Sequence, residues 1–565
     1  VRINASWRRA VRRAGGCALL LASAAALAEE GVAPDPPAAG TPASESSSLP
    51  IPSPEELEAS GAVIGRIIVV PGDIFDPAIK GEDRWLYRAA NRVHMNTKPG
   101  IIREQLLVKP GDPYNLRLVQ ESERILREQP YLYSAQIVPV AYDGHTVDLE
   151  VRTRDVWTLN PGFNFGRSGG QNSTSVHVQE KNLFGTGRQV EVGWGSNVDN
   201  SAWTVSYIDP QFLRPFTRLV ATYSDASDGS SKYLFLDRPF YALDTRWAAG
   251  TTLSDVRADG ERWELGKKVG EFNSHNQFYQ AYGGWSRGLV DGWTNRWTAG
   301  MTWQEDDFEP APNKPLGGPL PPDRKFVYPW IAFERVQDAY QTRVNQNQIS
   351  RTEDVLVGFH GWLRLGYASE SLGSKTDALI WSAFAEDGTD LGPRQSLFGS
   401  SWASGRLESG GLTNGIFGAE SRYYLATSAR SKFFASVSGV TTHNLDEDQQ
   451  LTLGGDTGLR GYPYAYQAGT SKALLTLEQR YYTTWYPFRL FHVAGAVFYD
   501  MGRTWGRDVT GETSLGLLKD VGFGLRLGSS RSGFGNVVHI DLAFPLDGDP
   551  SIDKVQFIVE TTGTF

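Results

Sequence analysis

The chain has 565 residues, with 55 Lys and Arg against 64 Asp and Glu, a formal charge of -9, and a single Cys. It has no basic surplus to replace phosphate counterions, which speaks against a nucleic-acid partner, and one Cys cannot close an intrachain disulfide or build a multi-thiolate metal site. The mean hydropathy of -0.35 excludes a bundle of membrane helices, but not a membrane β-barrel, where only every second strand residue meets lipid.

Residues 1–28 read as a secretory leader. Arg2, Arg8, Arg9, Arg12 and Arg13 precede a short apolar run from Cys17 to Leu27, and Ala26-Leu27-Ala28 offers a small-x-small cleavage site. Removing those five arginines from the -9 leaves a formal charge of about -14 and no Cys. Residues 29–60, rich in Pro, Ala, Ser and Glu, are expected to be a disordered linker.

Residues 62–155 change character. The stretch 64–70 reads as a strand and 84–95 as a helix. Thr97 is placed to cap a second short helix carrying Ile101, Ile102, Gln105 and Leu106 on one face. Apolar residues recur at helical spacing over 116–129. Strands at 134–140 and 146–152 then flank Asp143-Gly144, a strong hairpin signal. Strand, helices, strand, strand is the order of one small α+β domain.

From residue 156 to Phe565 helical periodicity gives way to segments of about ten residues that alternate apolar and polar, separated by turns. Val521, Phe523, Leu525 and Leu527 share one face, while Gly522, Gly524 and Arg526 share the other. Val538, Ile540, Leu542 and Phe544 oppose His539 and Asp541. Charge in strand middles suits a wet lumen. Tyr481, Tyr482, Trp485 and Tyr486 read as part of an interfacial aromatic girdle. The fold class is therefore mostly β: a transmembrane antiparallel barrel after a small α+β domain. The segments count to about twenty strands, roughly five of them after a long loop around 445–470. No run of about twenty apolar residues suggests a membrane helix.

Within that loop stand Leu459, Arg460, Gly461 and Tyr462, opened by Gly454-Gly455-Asp456. Downstream, Phe498, Asp500 and Gly502 form a Phe-x-Asp-x-Gly strand, Gly522 and Gly524 a Gly-x-Gly strand, and Glu478 lies between loop and strand. Together these motifs resemble the bacterial surface antigen superfamily of outer-membrane barrels, which includes barrel-assembly insertases and two-partner-secretion transporters. The resemblance implies sixteen strands, a loop folded into the lumen with Arg460 paired to Asp500 near Phe498, and Phe565 as the C-terminal signal for barrel assembly. Strand parity agrees with the pairing: His492, Ala494, Phe498 and Asp500 share one face, and Phe491, Val493, Val497, Tyr499 and Met501 the other, which suits lipid. The domain at 62–155 is similar to a polypeptide-transport-associated (POTRA) domain through the turn 109–115 and the hairpin. Residues 180–187 and 207–210 resemble the family's first two periplasmic turns. Only one such domain is present, and the connection 71–95 is longer than usual.

The resemblance implies a Gram-negative outer-membrane location with the POTRA domain in the periplasm. The partners would be outer-membrane lipids and an unfolded client polypeptide; accessory lipoproteins are a further conceivable set. The expected function is protein assembly or translocation, with insertion slightly favoured over secretion. The rival class is a passive channel or structural barrel. A surface lipase is a weaker rival, since Gly166-Arg167-Ser168-Gly169-Gly170 fits Gly-x-Ser-x-Gly but continues into strand alternation rather than a helix. No enzyme, cofactor, catalytic residue or metal ligand set is expected, and Asp446-Glu447-Asp448 reads as a solvated acidic loop.

Overall fold

The computed structural model describes residues 50–511, 515–531, 537–550 and 552–562, with the side chain of residue 164 not described. The leader at 1–28, most of the linker and Phe565 lie outside the described residues.

The linker's last residues are ordered. Ser53 and Glu56 form a reciprocal capping box on helix α1, Pro54–Ala59, which buries Leu57 completely. The compact unit therefore starts before residue 62, because Leu57 supplies the apolar anchor that the polar composition hides. Strand β1, Val63–Gly72, helices α2, Trp85–Val93, α3, Pro99–Arg103, and α4, Leu116–Arg127, and strands β2, Leu132–Tyr142, and β3, Thr146–Asp155, follow. The sheet order is β1-β3-β2, with β1 parallel and β2 antiparallel to the central β3. Val147, Leu149 and Val151 alternate inward from β3 and pack on Ile64, Ile102, Leu126 and Leu132. Thr97 is not the cap of α3, whose N-cap is Lys98 with no side-chain bond. Asp155 instead captures the Thr97 amide at 2.7 Å and its hydroxyl at 2.9 Å, tying the start of α3 to the end of β3.

Twenty antiparallel strands, from Leu159–Ser168 to Gln556–Thr562, close into a barrel. The count agrees with the reading of about twenty alternating segments and exceeds the sixteen of the family resemblance; five barrel strands follow the long loop. An even number brings the last strand back to the end where the first began, so the α+β unit and residue 562 share one end, called here the domain end. Outward positions form an apolar belt that includes Phe163, Val176, Val205, Trp297, Ile331, Leu363, Val437, Val497 and Phe523. Tyr481 and Trp485 are exposed as a girdle requires, but Tyr482 is buried, because it shares the inward face of Glu478 and Arg480.

Most turns at the domain end are short. The exception is the loop between Arg324–Gln337 and His360–Ala368, which carries a two-stranded hairpin, Tyr340–Val344 with Thr352–Leu356. At the far end, the long loop carries its own small hairpin, Leu451–Leu453 with Gln467–Gly469.

Candidate functional site

Four late strands, Ser471–Tyr482, Phe491–Trp505, Leu518–Ser529 and Val537–Pro545, form the wall that the far-end loop meets. Register places Glu478, Phe498, Gly522 and Ala543 in one row across it. Gly522 carries no side chain there, and a Cβ on it would fall 2.2 Å from Phe498 Cζ, so glycine makes room for the ring. Arg460 stacks on that ring, its guanidinium carbon 3.3 Å from the centroid. It donates twice to Asp500, from Nε at 2.7 Å and from Nη2 at 3.0 Å, and once to Glu478 at 3.1 Å. Asp500 has no exposed surface. A bidentate pair in so dry a place is strong and directional.

The pair belongs to a larger cluster. Glu478 also accepts from Arg480 at 3.0 Å and from Arg526 at 3.3 Å. Arg526 bonds Asp541, whose other oxygen lies 3.6 Å from Arg460. Gly524 stands opposite Asp541 in register, and a Cβ there would lie 1.8 Å from its carboxylate. Glu478 is thus the node shared by three arginines.

The loop is held elsewhere too. Gly461 runs so close to the wall that a Cβ would come within 2.5 Å of that of Asp520. Tyr462 is buried beside Leu453, Leu459 and Leu518, and its hydroxyl donates to the Lys519 carbonyl at 2.7 Å, with the Asp547 carbonyl 3.1 Å away. Gly502 lies against Leu453, within 2.9 Å of a Cβ built there. The acidic triplet is not a solvated loop. Asp446 pairs with Arg406 at 2.8 Å, and Asp448 with Arg324 at 2.8 Å, because these arginines project from other barrel strands into the lumen.

From the domain end the second hairpin enters the same lumen. Its tip buries Ile349 against Tyr482, Ala494, Ala496 and Val537. Glu353 caps the tip by accepting the amides of Gln346, Asn347 and Gln348. Arg480 donates to the Gln346 carbonyl at 3.4 Å while also donating to Glu478. A polar chain therefore runs from this hairpin through Arg480 and Glu478 to Arg460 of the far-end loop.

The hairpin is also latched to the α+β unit. Arg127 of α4 reaches Asp354 through Nε at 2.8 Å and Nη2 at 2.7 Å. Tyr133 donates to the Ser350 carbonyl at 3.2 Å, and Arg351 to that of Leu132 at 3.2 Å. Burial opposes the charge on Arg127, but Asp354 and Glu123 outweigh it and raise the guanidinium's pKa above its ordinary value. The same two side chains cover the outer edge of β2. Arg127 donates to the Ala135 carbonyl at 3.2 Å, and Glu123 accepts the Ile137 amide at 2.6 Å.

No family model and no curated protein matches the sequence. Among solved structures, the chain is similar to CdiB from Acinetobacter baumannii at 14% identity and a TM-score of 0.44, covering 89% of this chain and 73% of that one. CdiB from Escherichia coli gives 14% and 0.43, with 89% and 76% covered. BamA from Haemophilus ducreyi lacking POTRA domains 1–3 gives 12% and 0.36, with 89% and 84% covered. The closed sheet and its apolar belt decide the class by themselves, since no open edge is left for lipid to meet. This is an outer-membrane-type β-barrel. The last and first strands meet in a seam, where Val559 stands opposite Arg167.

The structure brings Arg460, Glu478, Phe498, Asp500, Gly522 and Gly524 to one spot and places Leu459, Gly461, Tyr462 and Gly502 around it. Sequence reasoning missed Arg480, Arg526 and Asp541 as partners. Their signal was parity: Arg480 lies two residues from Glu478 and Arg526 two from Gly524 on the same strands, and Asp541 stands on the polar face of its own strand. The domain-end hairpin gave no signal.

Arg460→Ala and Asp500→Ala should each lower urea resistance in detergent. The double variant should fall short of the sum by about 1–3 kcal/mol. Simple additivity would mean that the two side chains do not act as a pair.

Proposed function

We propose that this barrel is a protein-translocation or assembly factor of the bacterial surface antigen type, seated in the Gram-negative outer membrane with its α+β unit acting as a periplasmic POTRA domain. The observation that carries this reading is Arg127, which covers a sheet edge and holds a lumen plug at the same time. A sheet edge takes an extended peptide by main-chain pairing. A client strand adding to β2 must claim the Ala135 carbonyl and Ile137 amide from Arg127 and Glu123. Claiming them loosens Arg127 from Asp354, so arrival of a client frees the hairpin that fills the lumen. A passive channel has no use for that linkage.

Insertion and secretion share this first step. The test is conductance in planar bilayers. The resting barrel should be closed and should open when an unfolded barrel-type polypeptide, diluted from urea, is added on the domain side. Steady open pores that ignore the polypeptide would favour the passive-channel reading instead.

We read no enzyme into the chain. Ser168 ends a strand at a tight turn, and its hydroxyl donates to the Gly455 carbonyl at 2.8 Å. A fluorophosphonate probe should leave Ser168 unlabelled, and labelling there would revive the lipase reading.

A further inference from the structure

The long connection 73–96 has no part in the site above, yet it is firmly built. It leaves β1, turns through Phe75 and Glu82, forms α2 and rejoins the unit at Thr97. Arg154 of β3 holds it to the α+β unit through Glu82 at 2.9 Å, and its other partners lie on the barrel rim. Glu82 pairs with Arg531 in the turn after Leu518–Ser529. The Tyr87 hydroxyl donates to the Phe488 carbonyl at 2.9 Å, in the turn before Phe491–Trp505. Arg489 donates to the Lys80 carbonyl at 3.2 Å. At its other end, the Lys98 amide donates to the Gly185 carbonyl at 2.9 Å, in the turn after Gln171–Leu183. Following the ring, those turns flank the seam between the last and first strands. Helix α2 therefore lies along the rim, across the seam.

The helix has three stripes at i, i+4 spacing. Tyr87 and Asn91 face inward: Tyr87 stacks on Phe75 at 4.3 Å, and Asn91 bonds both the amide and carbonyl of Phe75. A second stripe, Arg84, Arg88 and Arg92, is exposed. The third is apolar: Trp85, Ala89 and Val93, with Leu86 beside them. Trp85 is 74% exposed, Leu86 58% and Val93 71%. The rim turns that bracket the helix also present large exposed apolar side chains, Trp485 and Phe488 on one side and Phe184 on the other.

We propose that α2 is an interfacial helix resting on the lipid leaflet at the domain end, with Trp85, Leu86 and Val93 among the acyl chains and the arginine stripe at the phosphate headgroups. Three observations commit the face to lipid. The helix is pinned to strand-ending turns, which places it at the height of a membrane interface. Exposed aromatics also stand on the strand-ending turns that the connection bonds, Trp485 and Phe488 on one side of the seam and Phe184 on the other. A Trp-bearing face flanked by arginines is the composition that settles at a phospholipid surface. The helix would hold the α+β unit against the membrane and span the seam like a lintel. This rests on the barrel being embedded in lipid, but not on its handling any client.

The test uses the full chain with Cys17→Ser, reconstituted in phosphatidylethanolamine–phosphatidylglycerol vesicles. Single cysteines at Leu86→Cys, Val93→Cys and, as a control on the far side of the unit, Asp143→Cys carry a bimane label. Lipids bearing a doxyl group at carbon 5 or carbon 12 serve as quenchers. Labels at 86 and 93 should be quenched about two-fold more than the label at 143, and more by the carbon-5 lipid than by the carbon-12 lipid. Equal quenching at 86, 93 and 143 would overturn the proposal, as would labels at 86 and 93 that become shielded only when a protein is added. A second measurement guards against a label that disturbs docking. Trp85→Glu with Leu86→Glu should keep the barrel's heat-modifiable gel mobility but make the connection cleavable by trypsin in vesicles. Unchanged protection would count against a lipid contact. A barrel that fails to respond to clients yet shows the quenching pattern would sink the proposed function alone.

Discussion

Replacing Glu478 with alanine will destabilise the barrel more than any other single substitution in the lumen. Arg460, Arg480 and Arg526 all bond this carboxylate. Its removal leaves three buried guanidiniums to share Asp500 and Asp541. Breaking a buried ionic network by taking out one partner costs about 3–5 kcal/mol, because the remaining charges stay desolvated without compensation. The loss should be visible as a lower urea midpoint in detergent and less heat-modifiable barrel in cells. Glu478→Gln keeps the shape and one acceptor and should lose less. If both variants unfold within about 0.5 kcal/mol of the parent, the cluster is not the structural node described above.

Asp354→Arg will open the barrel without a client. Arg127 and Asp354 are both largely buried, with side-chain exposures of 11% and 12%. Placing a cation opposite Arg127 replaces a bidentate bond by repulsion and drives the hairpin away from α4. An effect of about 3 kcal/mol would shift the closed-to-open ratio by about a hundredfold, enough to turn rare openings into frequent ones. Single-channel recordings should show this, and Arg127→Asp added to Asp354→Arg should restore closure by swapping the charges. A quiet Asp354→Arg barrel, or a double variant that leaks as much as the single one, would show that the pair does not hold the plug.

Much of this was legible in the chain because the barrel repeats one physical rule. Alternation of Val521, Phe523 and Leu525 with Gly522, Gly524 and Arg526 states which face meets lipid, and the reading of about twenty such segments agrees with the twenty strands of the barrel. Asp500 could be aimed inward from parity alone. What could not be read were contacts made across the lumen. Asp446 and Asp448 look like any acidic loop until the closed sheet brings Arg406 and Arg324 within reach. The hairpin at 340–356 looks like two more short strands, and only the closed sheet shows that its tip packs against Tyr482. The start of the α+β unit was misplaced for a related reason. One apolar residue, Leu57, outweighs the polar residues around it once it has a core to enter.

The far-end loop is gripped at two separate stretches of the wall. Its acids meet Arg324 and Arg406, while its arginine meets Glu478, Asp500 and Asp541. Each stretch also has partners of its own: Asp306 and Glu408 stand beside the first two arginines, and Arg480 and Arg526 beside the acids. The loop therefore works as a strap buckled at both ends. Releasing one buckle leaves the other fastened, so the bore can be cleared only when both let go.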